Sequence, residues 1–325
     1  MTGVVTKDRL HRSELAVPAS SARMLEKAPA LGADVVFLDL EDAVAPDDKV
    51  EARRNAIAAL RDLDWSGCAV SVRVNGLDTR WCYRDVVDVV EQAGDRLELL
   101  LVPKVGSAAD VQFVATLLSQ IEAERGLEPI GLSVLIETAR GMANVEEIAQ
   151  SCPERLEALV FGVGDFSVFT QARARSVGGS SPDYAVLTDA DEHGRRALHW
   201  GDQWHYALAR VVVAARAYGL RPIDGPFGDI GDPDAYLASA RRAAAVGCEG
   251  KWAIHPSQVP LANDVFSPGA EEVERARRIL EAMERAQADG KGAVALDGRL
   301  IDMALVPMAR RVIEKAERIA RQPGR

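Results

Sequence analysis

The chain has 325 residues, 48% hydrophobic and 27% charged, with a formal net charge of −10 at pH 7; this is the composition of a folded globular protein, long enough for a barrel-sized core with an appendage or for two ordinary domains. The acidic balance excludes non-specific binding to nucleic acid or acidic membranes, which needs a broad surplus of Lys and Arg. The polar start from Met1 to Arg12 lacks a signal-peptide core, and no apolar run approaches the ~18 residues that span a bilayer, so a cytoplasmic location is expected.

Read in chain order, short Val-, Leu- and Ile-rich runs alternate with longer stretches of helical period. A strand over 14–18 leads into a helical stretch carrying Arg23 and Lys27, and a second strand over 34–40 precedes a helix over 47–61. Strands over 69–74 and 97–102 follow, then a helix over 108–125, then strands over 131–136 and 158–162. The stretch from Phe166 to His205, with Gly178-Gly179-Ser180-Ser181-Pro182 inside it, is too long for an ordinary connection and reads as an active-site loop insertion. A strand over 220–224, a helix over 233–246 entered at Asp232-Pro233, and a strand over 250–254 complete eight strand-helix units. Most strands are apolar on both faces, as strands covered on both sides must be. The expected fold is therefore α/β, a (β/α)8 TIM barrel over 1–266.

Beyond Phe266-Ser267-Pro268-Gly269 the pattern changes: a helix opened by Glu271 and Glu272, a break at Gly290–Gly292, a short segment over 293–301, and a last helix with Met308, Val312 and Ile319 on one side. Residues 267–325 are expected to form a C-terminal helical lid or arm.

Cys68, Cys82, Cys152 and Cys248 form no C-x-x-C pair, and the five histidines form no ligand spacing, so a disulfide framework is not indicated and any metal must be held by oxygen. The informative polar residues are Asp42, Arg73, Lys104, Glu137 and Asp165. They follow successive apolar runs about 30 residues apart, one unit of a ~250-residue eight-unit barrel, and so converge on the C-terminal mouth. Each alone also reads as a helix cap or a loop charge. Glu137 and Asp165, after the fifth and sixth strands, would suit Mg²⁺, which accepts two carboxylates and keeps much of its water; a Lys104–Glu137 salt bridge is the alternative. Arg73 offers a fork for a carboxylate or carbonyl, or an ion pair with Asp42 or Glu41. Arg23 and Lys27, four apart on one helix face, fit either a phosphate grip or a solvated surface. Gly162 and Gly164 lack the third glycine of a dinucleotide fingerprint, Ser167 standing in its place, and are read as letting the backbone turn tightly.

Together these motifs resemble the citrate lyase beta-subunit-like CoA lyases of the HpcH/HpaI aldolase superfamily. The resemblance runs from Arg12-Ser13 through Phe37-Leu38-Asp39-Leu40-Glu41-Asp42-Ala43, Val72-Arg73-Val74-Asn75, Val102-Pro103-Lys104-Val105, Ile136-Glu137-Thr138-Ala139-Arg140-Gly141-Met142 and Gly162-Val163-Gly164-Asp165 to Ile301-Asp302. Gln203-Trp204-His205-Tyr206, Gly225-Pro226-Phe227-Gly228-Asp229-Ile230 and Gln258-Val259-Pro260 are most similar to the malyl-CoA and β-methylmalyl-CoA lyase branch.

The resemblance implies Mg²⁺, with Mn²⁺ as a possible substitute, on Glu137 and Asp165, with Glu41, Asp42 and Lys104 around them. It implies that Arg73 contacts the substrate, that Asp302 is the acid/base supplied by the arm to a neighbouring subunit, and that Arg23, Lys27, Ile254 and Pro256 hold coenzyme A. Homotrimers or homohexamers acting on acyl-CoA and small 2-oxoacids are expected. The implied reaction is reversible cleavage of (S)-malyl-CoA or β-methylmalyl-CoA to glyoxylate plus acetyl-CoA or propionyl-CoA. Citramalyl-CoA cleavage to pyruvate and acetyl-CoA, or a non-catalytic barrel subunit of a larger lyase complex, are the alternatives.

Overall fold

Runs apolar on both faces need cover on both, and a parallel sheet closed on itself beneath a ring of helices provides it. In the computed structural model, which describes residues 9–321, the strands are β1 (Ser13–Pro18), β2 (Val35–Asp39), β3 (Ala69–Arg73), β4 (Leu99–Val102), β5 (Gly131–Ile136), β6 (Leu156–Phe161), β7 (Ala185–Leu187), β8 (Leu198–Trp200), β9 (Arg221–Asp224) and β10 (Gly250–Ala253). Eight of them close a parallel barrel in the order β1-β2-β3-β4-β5-β6-β9-β10, with β10 returning to β1. The first part of the polar start, residues 1–8, and the end of the expected arm, residues 322–325, lie outside the described residues.

Alternation along the strands fills the interior with Phe37, Leu101, Leu135, Ala158, Val160, Ile223 and Trp252. Burying each large side chain contributes roughly 1.5–3 kcal/mol. The helices Lys49–Asp62, Cys82–Ala93, Ala108–Arg125, His205–Ala217 and Pro233–Val246 cover the outside. Two of these, Ala108–Arg125 and Pro233–Val246, occupy the predicted spans. Asp232 caps the second, its side chain accepting from the Ala235 N–H at 2.9 Å, with Pro233 at the first position.

The long stretch after β6 is more ordered than a loop. It opens with a helix, Val163–Phe169, and contains the antiparallel hairpin β7–β8. Its base is tied together by Trp204 Nε1, which donates to the Gly179 carbonyl at 3.1 Å, and is held to the segment after β9 by the Gly228 N–H, which donates to Val177 O at 2.9 Å. Gly178 has φ 73, and a Cβ there would overlap the Pro226 carbonyl, so glycine is required on both counts. Trp204 also packs edge-on against Phe166, at 6.4 Å between ring centres.

The chain divides into two compact units, Met1–Asn263 and Asp264–Arg325. The second contains a helix, Ala270–Ala288, a hairpin of β11 (Ala293–Leu296) and β12 (Arg299–Asp302), and a helix, Val306–Ala320. The hairpin turns through Asp297-Gly298 with φ of 50 and 73, the mirror-image turn that matches strand twist. Ile279, Met283, Ile301 and Val306 form its small core. All four cysteines are free and buried, and no helix among the described residues is long and apolar enough to cross a membrane.

Candidate active site

The apolar barrel interior ends upward in a layer of charge. Arg73, the last residue of β3, lies 5.8 Å from the Phe37 ring and 5.5 Å from that of Trp252, so its guanidinium caps the core directly. Its Nε and Nη2 donate to both Asp39 oxygens at 2.7 and 2.5 Å, and Nη1 lies 3.0 Å from Glu41 Oε2. Burial pushes the Asp39 carboxyl up, but the Arg73 charge and hydrogen bonds, with the N–H groups of Glu41 and Ala43, outweigh it and hold the carboxyl below the usual range. Arg73 is correspondingly raised, its carboxylate neighbours outweighing burial, and is permanently cationic.

Lys104 joins the remaining acids. Its ammonium lies 2.5 Å from Glu41 Oε1, 3.1 Å from Asp42 Oδ2 and 3.2 Å from Asp165 Oδ2. Its main-chain N–H donates to Glu137 Oε1 at 2.8 Å. The predicted Lys104–Glu137 pairing is therefore real in partner and different in kind, because the side chain is turned to Asp165 while the backbone meets Glu137. This split accompanies an unusual backbone: Lys104 has φ 53, the left-handed region that costs a non-glycine residue ~1–2 kcal/mol.

Glu137 follows β5 and is buried. Burial, then the charge of Glu41, push its carboxyl up to about 8; Asp165 adds to this, while Arg73 and the Lys104 N–H oppose it. Room for Glu137 comes from Gly162, where a Cβ would lie 2.5 Å from Glu137 Cβ and overlap Oε2. The backbone does turn sharply at this glycine, with φ −82 and ψ 75, but in a region open to any residue, so glycine is needed here for space. Gly164 has only an ordinary neighbour, Val177 Cγ1 at 3.6 Å from an added Cβ.

All five strand-end charges singled out from sequence thus belong to one cluster. Asp39 was missed, although its parity with inward-facing Phe37 was a readable signal. Lys49 was missed too; its ammonium donates to the carbonyls of Leu40 and Glu41 at 2.8 and 2.7 Å and holds the loop that presents Glu41 and Asp42. Asp85 is a third, accepting from both nitrogens of Asn75 and from Arg53.

Five carboxylates, Asp39, Glu41, Asp42, Glu137 and Asp165, face two cations, Arg73 and Lys104, so the donor set fits a small hard dication in charge and in chemistry. Among the described residues no three His, Cys, Asp or Glu side chains are arranged as a metal cage. A cation held here would rest on Glu137 and Asp165 and complete its shell with water and substrate oxygens.

The other predicted residues sit on other elements. Arg23 and Lys27 are exposed on the helix Ala22–Lys27 that follows β1. Ile254 and Pro256 are exposed just beyond β10, the neighbour of β1. Gln258 fixes that loop, accepting from the Ile254 N–H at 2.9 Å and donating to Phe227 O at 3.1 Å. Asp302 is exposed in the second unit, where its side chain accepts from the Ala304 N–H at 3.0 Å.

A profile of the family described as HpcH/HpaI aldolase/citrate lyase matches residues 12–256. The chain is similar to the L-malyl-CoA/beta-methylmalyl-CoA lyase of Cereibacter sphaeroides, 48% identical over 313 residues that cover 96% of each chain. It is also similar to the malyl-CoA/beta-methylmalyl-CoA/citramalyl-CoA lyase of Chloroflexus aurantiacus, 39% identical over 89% of this chain and 82% of the relative. Among solved structures, the CitE protein of Mycobacterium tuberculosis in complex with magnesium, acetoacetate and coenzyme A aligns with a TM-score of 0.71 at 28% identity, covering 94% of this chain and 97% of that chain.

Proposed function

The chain belongs to the HpcH/HpaI aldolase/citrate lyase family, and from that premise we propose that it is a magnesium-dependent carbon–carbon lyase acting on (S)-malyl-CoA or β-methylmalyl-CoA. The products are glyoxylate and acetyl-CoA or propionyl-CoA, and the reverse reaction is a Claisen-type condensation. The observation that carries this reading is the meeting of Glu137 and Asp165 at Lys104, beside a guanidinium fixed by Asp39 and Glu41. Near-full-length similarity to a named malyl-CoA/β-methylmalyl-CoA lyase supports the substrate class, and the magnesium and coenzyme A of the CitE complex support the cofactor.

In this reading Glu137 and Asp165 hold the ion, with Mn²⁺ able to replace Mg²⁺. When bound, the ion supplies Lewis acidity to the substrate's hydroxyl and carboxylate oxygens. Arg73 does not move to meet charge; its orientation is set in advance by two carboxylates, so it stabilises negative charge growing on the thioester oxygen at little reorganisation cost. In cleavage the substrate hydroxyl gives its proton to water, the electrons of the breaking carbon–carbon bond pass to the thioester enolate, and Asp302 protonates its α-carbon; condensation runs the same transfers in reverse, with Asp302 removing the α-proton. Residues 267–325 act as an arm that delivers Asp302 to a neighbouring subunit of a homotrimer or homohexamer. Arg23 and Lys27 meet phosphates of coenzyme A, with the backbone at Ile254 and Pro256 beside them. The enzyme works in the cytoplasm.

Citramalyl-CoA is the second substrate reading, favoured by the name of the Chloroflexus aurantiacus relative. Room for one methyl group separates pyruvate from glyoxylate, a discrimination of roughly 1–3 kcal/mol. The deciding experiment incubates the purified protein and Mg²⁺ with glyoxylate or pyruvate against acetyl-CoA or propionyl-CoA and identifies the thioester by mass spectrometry. Malyl-CoA or β-methylmalyl-CoA is expected; no condensation product in any pairing would overturn the proposal.

A further inference from the structure

Lys104 is an unusual companion for two carboxylates that bind a cation, because its ammonium already sits 3.2 Å from one of them, Asp165 Oδ2, while also touching Glu41 and Asp42. The same residue serves the other carboxylate by a different route, its main-chain N–H at 2.8 Å from Glu137 Oε1. It does both with a left-handed backbone at φ 53.

We propose that the Lys104 ammonium is a resident competitor for the divalent cation: it shares Asp165 with the ion and holds cation affinity below what the carboxylates alone would give. This rests on the metal reading of Glu137 and Asp165. The argument is electrostatic. A unit positive charge within hydrogen-bonding distance of a ligand oxygen neutralises part of the field that attracts a dication, and it faces that dication at short range across a half-buried site where screening is weak. Lys104 therefore acts through Asp165 and not on the reacting atoms, which makes it a positioning residue. Its two functions are also separable by substitution. Glycine adopts φ 53 freely, so Lys104→Gly deletes the ammonium and leaves the N–H to Glu137 in place. Lys104→Arg keeps the charge.

The test is a titration of Mn²⁺ into the purified full chain, without substrate, followed by electron paramagnetic resonance of the free ion. Wild type, Lys104→Gly, Lys104→Met, Lys104→Arg and Glu137→Gln are compared, with circular dichroism to confirm folding. The expected result is a dissociation constant about tenfold lower for Lys104→Gly and Lys104→Met, and close to wild type for Lys104→Arg. A merely structural lesion would weaken binding in all three and would not sort them by charge. Unchanged or weaker Mn²⁺ binding by folded Lys104→Gly overturns the inference while leaving the metal reading intact. Failure of wild type to bind Mn²⁺, or equal binding by Glu137→Gln, overturns the metal reading and this inference with it.

Discussion

Gly162 and Glu137 are in such close contact that the strand-end glycine has no room for a methyl group: an added Cβ would lie 2.5 Å from Glu137 Cβ and overlap its Oε2. The backbone of Gly162 is unstrained at φ −82, so the cost of alanine falls on the carboxylate.

Gly162→Ala is expected to fold, to lose roughly 1–3 kcal/mol of stability through overpacking, and, on the proposed metal-holding role of Glu137, to lose about 100-fold in kcat/KM, since a ~1 Å misplacement of a functional group costs about that much. Gly164→Ala, whose Cβ meets only Val177 Cγ1 at 3.6 Å, is the matched control and should stay near wild type. Urea denaturation and steady-state kinetics on the pair check this; equal losses in both variants would refute the steric argument.

The Arg73–Asp39 pair makes a second prediction. Both residues are buried, and Asp39 accepts two of the guanidinium's hydrogen bonds. Removing one partner of a buried pair costs about 3–5 kcal/mol because the other charge stays behind. Asp39→Asn should fall at the low end, since Glu41 still neighbours Nη1. It should also reduce kcat by freeing Arg73 to swing. A urea midpoint equal to wild type would show that the pair is not needed to hold the mouth together.

These two relationships also mark where sequence reading stopped. The eight barrel strands were legible because doubly covered strands are apolar throughout, and the charges just past them were legible because they interrupt that pattern. Asp39 was hidden inside an apolar run, and only its inward parity with Phe37 betrays it. The β7–β8 hairpin was unreadable because Val186, Leu187, Leu198 and Trp200 are all exposed, leaving no buried alternation to detect. The β11–β12 hairpin had a signal in Asp297-Gly298, the dipeptide favoured where both turn residues take positive φ. Nothing in sequence foretells a left-handed lysine, so the double use of Lys104 emerges only from the fold.

Thiol reactivity is the third prediction. Burial, with nearby acids adding to it, pushes Cys82 and Cys152 up to about 12. The thiolate is the reactive species, and at pH 8 a group titrating near 12 is ionised in only about one molecule in 10⁴. All four cysteines are buried, so the native protein should not react with a disulfide reagent over minutes at pH 8, and four equivalents should appear on denaturation. Fast titration of any thiol in the native state would show that its cover opens readily.

The last prediction separates the chemistry of Asp302 from its structural duty. Asp302 is exposed and its carboxylate accepts the Ala304 N–H at the start of a short helical turn. Asparagine caps helices about as well as aspartate, so Asp302→Asn should keep the turn, the fold and the affinity for the CoA thioester. It removes the proposed proton carrier, and the expected loss is in kcat, by about 10²–10⁴-fold for a general acid/base. Exchange of the acetyl-CoA α-hydrogens with deuterated water, followed by NMR, isolates that step; exchange at the wild-type rate would exclude Asp302 from it. The proposed delivery between subunits has its own readout. Asp302→Asn and Glu137→Gln chains, each impaired alone, should regain about a quarter of the wild-type activity when co-assembled at equal amounts, because random mixing joins an intact Asp302 to an intact Glu137 at about one site in four when they come from different chains. Mixtures that stay as inactive as their parts, despite proven co-assembly, would place Asp302 at its own subunit's barrel or outside the reaction altogether.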